Sequence, residues 1–136
     1  MNLYYRIRST ISSLWHNFRV RCQRFRLGYS YSDVWNMDDW FIRTVKPMLI
    51  HLRDHGCSVP GEFADNHNGW GVVLTKMISC LDMMDEGNVY KHLGFCDIKD
   101  YERMTTDDYK EIDKIMEENK NRFFELFSKY FYNLWD

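Results

Sequence analysis

LYYRIRSTISSLWHNFRVRCQRFR, residues 3–26, is the stretch from which the fold class follows. Its apolar positions Leu3, Ile7, Ile11, Leu14, Phe18, Cys22 and Phe25 recur at intervals of 4, 4, 3, 4, 4 and 3. That is the period of one face of an α-helix, not of a strand. Gly28 then stops the run. The six arginines of the segment, Arg6, Arg8, Arg19, Arg21, Arg24 and Arg26, all fall off the stripe. The expected helix is therefore apolar on one side and cationic elsewhere.

Three further runs keep the helical period. Asn36 is a good N-cap and Asp39 puts a carboxylate in the first turn, where backbone N–H groups are unpaired. Trp35 and Trp40 stand at the spacing of a hydrophobic staple. The run continues past Pro47, which removes a backbone bond to Arg43, and closes at His55 with Gly56 beyond it. Pro60-Gly61 marks a turn in the loop that follows. Trp70, Val73, Leu74, Met77, Ile78, Leu81 and Met84 give the buried face of a helix from about Asn68 to Glu86, ended by Gly87-Asn88. Tyr109, Ile112, Met116, Phe123, Phe127, Tyr130 and Leu134 line the last, which starts at Thr105 or Thr106. The expectation is an all-α, single-domain bundle over 1–136. Its four main helices cover about 3–26, 37–55, 69–86 and 106–134, with a short extra helix near 97–104.

Composition agrees. A chain of 136 residues favours one core. Aromatics at 17% exclude a disordered chain, and 7 Gly with 2 Pro leave few turns for a many-stranded protein. Cys22, Cys57, Cys80 and Cys96 include no C-x-x-C pair and are expected as reduced, mostly buried thiols. No apolar stretch approaches the roughly 18 residues of a membrane span, and no secretory signal follows Arg6 and Arg8.

The net charge of −2 conceals an asymmetry. Residues 1–28 carry +6 and no carboxylate side chain, and the remainder carries −8. The basic arm can neutralise the acidic body, its own or that of a second copy; it can bind nucleic-acid phosphates; or it can lie on an anionic membrane. The apolar members sit at core spacing and are expected to be buried, which favours the first reading and sets a membrane aside.

Sequence signatures of catalysis are missing. Gly69-Trp70-Gly71 lacks the third glycine and preceding strand of a dinucleotide fingerprint, and no P-loop or nucleophile elbow occurs. Asp38-Asp39, Asp107-Asp108 and Glu117-Glu118 are sequence neighbours, splayed about 100° apart on a helix. His51 and His55 share a helix face near Cys57, with Asp65 and His67 in the next loop, but the spacing matches no standard zinc site. No metal or other cofactor is expected. Beyond Arg122 the last helix carries Phe123, Phe124, Phe127, Tyr130, Phe131, Tyr132 and Trp135, more rings on more sides than one neighbour covers. Trp135, Tyr132, Phe131, Tyr29, Tyr31 and Trp35 are the expected partner contacts, since Trp and Tyr dominate interface hot spots.

The run Gly28-Tyr29-Ser30-Tyr31-Ser32-Asp33-Val34-Trp35-Asn36-Met37-Asp38 resembles an element found in a family of small uncharacterised proteins of tailed bacteriophages and prophages. Further points of resemblance are Pro47-Met48-Leu49, the connection from His55 to Pro60, Trp70 with Met77-Ile78, and Phe127 to Asp136, which reads F-x-x-Y-F-x-x-L-W-D. Cys57 and Ser58 lengthen the connection relative to the family pattern, and residues 87–104 look like an insertion. The resemblance implies a phage origin and a helical fold, and no activity. A non-enzymatic interaction protein in the cytoplasm of the infected bacterial host is then expected, binding a host, defence or phage protein, or a second copy of itself. The alternative is a nucleic acid or anionic nucleotide held by the arginines of the first helix.

Overall fold

The computed structural model describes the backbone of residues 3–135 and the side chains of residues 13–66, 68–97 and 99–135. The chain is 74% helical, with no strand among the described residues. Six α-helices follow in order: α1 Leu3–Leu27, α2 Met37–His55, α3 His67–Asp82, α4 Glu86–His92, α5 Ile98–Tyr101 and α6 Thr106–Tyr130. Single 3₁₀ turns occupy Gly61–Phe63 and Phe131–Asn133. The chain divides into two compact units, residues 1–41 and 42–136.

The second unit holds the apolar core. Its central pair is α3 against α6, with α4 also packed on α6 and the Gly61–Phe63 turn on α3. Leu74, Met77 and Leu81 from α3, Val89 from α4, and Ile112 and Phe123 from α6 are buried, at positions the helical period singles out on α3 and α6. Phe63, Trp70 and Tyr130 close one end, with ring centroids 5.2–6.0 Å apart. Gly69 permits this approach, because a Cβ there would stand 2.8 Å from the Phe63 ring. Lys46 pairs with Asp82, tying α2 to the end of α3.

The helix ends depart from the sequence expectation in instructive ways. The run expected as one helix over 69–86 is two. Met83 ends α3, and the Asp85 carboxylate accepts from the Asn88 amide 3.0 Å away and caps α4. Gly87-Asn88, read as a stop, sits in the first turn of α4, and the Asn88 side chain donates to the Asp82 carbonyl. The helix also starts earlier, because Asn66 rather than Asn68 caps it by accepting from the Gly69 amide. The short helix expected near 97–104 is only Ile98–Tyr101. The last helix stops at Tyr130, and Phe131–Asn133 tightens into the 3₁₀ turn. Trp35 is 89% exposed, so no staple with Trp40 covers it. The thiols also depart: all four are outside disulfides, Cys80 alone is buried, and Cys22, Cys57 and Cys96 are exposed. Burial pushes the Cys80 thiol up, away from thiolate.

The last helix starts where expected, and Thr105 is its cap. Thr105 Oγ1 accepts from the Asp108 amide, and the Asp108 carboxylate accepts from the Thr105 amide at 2.7 Å. This is a reciprocal capping box. Thr105→Ala should lower stability by about 1 kcal/mol, read from urea denaturation midpoints, with Thr105→Ser largely preserving it.

Candidate functional site

Two surfaces stand out, one in each unit. In the second unit a groove of about 620 Å³ runs between α2 and the end of α6. Val45, Met48, Leu52, Phe127, Phe131 and Trp135 are among its lining, and His51 is its one titratable side chain. The α6 period decides which rings build it. Phe123 and Tyr130 turn inward and are buried; Phe127 is half-buried. Phe131, Tyr132 and Trp135 lie past the last α-helical turn and are exposed. Phe131 lies 5.4 Å, ring to ring, from both Phe127 and Tyr132. Three of the residues expected as partner contacts are thus gathered at one end of α6.

The other three, Tyr29, Tyr31 and Trp35, lie on the turn between α1 and α2 in the first unit, and all are exposed. That turn is built around one carboxylate. Asp33, 5% exposed, accepts two bonds from the Arg24 guanidinium, at 2.6 and 3.0 Å, and one from the Ser30 amide at 2.7 Å. Ser30 Oγ and Ser32 Oγ share a further bond, and Gln23 on α1 accepts from the Tyr31 amide at 3.1 Å. Gly28, at φ +77°, supplies the left-handed residue that lets the chain leave α1.

The Arg24 guanidinium, and then the Ser30 amide, hold the Asp33 carboxyl far below the usual carboxylate range. A group whose folded value is depressed stabilises the native form above its unfolded value, about 3.9 for Asp, and loses that effect as pH falls through the folded value. The turn is therefore expected to hold its structure from neutral pH to below about 3. An NMR pH titration of the Ser30 amide checks this. The resonance should stay nearly fixed across that window, and Asp33→Asn should displace it at every pH. A wild-type midpoint near 4 would contradict the arrangement.

Helical periodicity does not show this clasp, and Arg24, one of the six arginines expected to hold an anion in the alternative reading, is instead engaged by Asp33. The signal was Ser30-x-x-Asp33, a pattern that returns a carboxylate to a backbone N–H. Of the other arginines, Arg19, Arg21 and Arg26 are exposed on α1; the side chains of Arg6 and Arg8 lie outside the described residues. Leu3, Ile7 and Ile11 of the α1 stripe have side chains outside the described residues; its described members, expected to be buried, are open. Leu14 and Phe18, with the neighbouring Trp15, are each more than half exposed, and Phe25 is 92% exposed. A depression of about 360 Å³ lined by Trp15, Phe18, Arg19, Arg26 and Tyr31 lies along it.

His51, His55 and Cys57 do not converge. The two imidazoles stack 4.6 Å apart, and His55 Nδ1 lies 3.3 Å from the His51 carbonyl. The Cys57 thiol turns to the His55 carbonyl. Asp65 is exposed, and the side chain of His67 lies outside the described residues. Among the described residues no group of three His, Cys, Asp or Glu side chains could hold a metal ion. No helix among them is long and apolar enough to cross a membrane.

Comparison with protein families, with curated proteins and with solved structures gives no match to this chain.

Proposed function

We propose that the chain is a non-enzymatic, phage-encoded interaction protein that binds a host, defence or phage protein in the cytoplasm of the infected bacterium. The observation that carries this reading is the aromatic groove between α2 and the end of α6. A folded unit with its own core leaves Phe131, Tyr132 and Trp135 in solvent at the rim of an apolar cleft. Concave apolar sites edged by Trp and Tyr are what a partner's apolar side chains fill. The phage assignment rests on the resemblance at residues 28–38 and 127–136. Affinity purification from infected cells tests the reading, with wild type beside a Phe131→Ala/Trp135→Ala double variant. A partner retained by wild type and lost by the variant supports it; the same proteins on both would sink it.

A second reading places nucleic acid or an anionic nucleotide on α1. It draws support from Arg19 and Arg26 beside Trp15, Phe18 and Tyr31, cations interleaved with rings. Binding of oligonucleotides that falls steeply with salt would favour it.

A further inference from the structure

The open face of α1 has a regular layout. At about 100° per residue, Leu14, Phe25, Phe18, Cys22 and Trp15 fall within one arc of about 100°. Arg26 and Arg19 stand just beyond the Trp15 edge, and Arg21 just beyond the Leu14 edge. Arg24 lies farther round on the Leu14 side, engaged with Asp33. The first 32 residues contain no carboxylate side chain at all. An apolar strip with guanidinium groups along both borders is suited to one kind of surface. The strip enters hydrocarbon by about 5–10 Å while the arginines extend sideways to phosphates in the same plane.

Other occupants fit less well. A nucleic acid would meet its cations split into two rows by an apolar band. Two copies of α1 laid face to face would bring their arginine rows together. The groove on the second unit has no Asp or Glu among its lining residues to complement α1. We propose that α1 is an in-plane membrane anchor, with Leu14, Trp15, Phe18 and Phe25 inserted into an anionic bilayer and Arg19, Arg21 and Arg26 on its phosphates. This goes beyond the groove-binding reading and uses a separate surface.

The test is co-sedimentation of the full chain with phosphatidylethanolamine vesicles containing about one quarter phosphatidylglycerol, against pure phosphatidylcholine. Wild type should pellet with the anionic vesicles only, and less as salt rises. Phe18→Glu/Phe25→Glu should weaken partitioning at least about tenfold. Arg19→Gln/Arg26→Gln should weaken it about twenty-five-fold, each basic residue being worth roughly fivefold. Circular dichroism should show all three chains equally helical, since the altered side chains are exposed.

Several results would overturn the proposal. These are no pelleting at low salt, equal pelleting with phosphatidylcholine, or a Phe18→Glu/Phe25→Glu chain that pellets like wild type. Binding of a single-stranded oligonucleotide without vesicle binding would assign the face to nucleic acid. A wild-type dimer that these glutamates make monomeric, again without vesicle binding, would assign it to a second copy.

Discussion

Phe123→Ala should destabilise the chain by about 3–5 kcal/mol, the largest effect expected from one substitution here. The ring is fully buried on α6, 5.2 Å from Phe124 and 5.4 Å from Phe127 between centroids. It belongs to the buried core of the second unit, in which α6 packs on α3 and α4. Truncation removes apolar surface from that core and leaves a cavity the surrounding helices close only in part. Tyr132→Ala, nine residues farther along the chain and 87% exposed, should stay within about 0.5 kcal/mol. Urea denaturation of both variants beside wild type checks the pair. A Phe123→Ala cost under about 1 kcal/mol would mean that the α6 aromatics are not divided into core and surface as described.

Trp135→Ala should weaken partner binding by at least about thirtyfold, or about 2 kcal/mol, with the melting temperature unchanged. The indole is 61% exposed in the chain yet lines the groove with Phe127, Phe131 and Leu134. Covering such a ring removes a large apolar area from water at the loss of only two side-chain torsions, which is why tryptophan dominates interface energetics. Titration calorimetry with the partner recovered by affinity purification reads the effect. Equal affinity for wild type and variant would place the contact elsewhere.

The parts of the fold legible in the sequence are those set by local chemistry. Thr105 with Asp108 announces the start of α6 because a hydroxyl and a carboxylate three residues apart satisfy two orphan amides together. The buried faces of α3 and α6 follow from spacing alone. The break at Met83 is hidden because Leu81 and Met84 continue the apolar period, while the cap at Asp85 that forces a restart is visible only once Asn88 has turned onto the end of α3. The Arg24–Asp33 pair spans nine residues across a turn, and no periodic rule joins them. The α1 stripe exposes a deeper limit. Periodicity identifies which face of a helix is apolar; whether anything covers it depends on where the other elements go. Of the candidate contacts, composition nominated Phe131, Tyr132 and Trp135 and the α6 period set Phe123 and Tyr130 on the inner face; that the chain leaves the α-helix at Tyr130, ahead of the three contacts, was not legible.

Every buried apolar side chain among the described residues lies at position 49 or beyond, whereas the buried side chains of the first unit are Ser30 and Asp33. Heat capacity on unfolding comes chiefly from apolar surface newly wetted, and polar exposure lowers it. Its gain therefore belongs to the second unit, whose stability has a maximum and declines both on warming and on deep cooling. The turn that closes α1 draws on ionic hydrogen bonding and so lacks that curvature. Cold is therefore expected to weaken the core of the second unit through its solvent more than it weakens that turn.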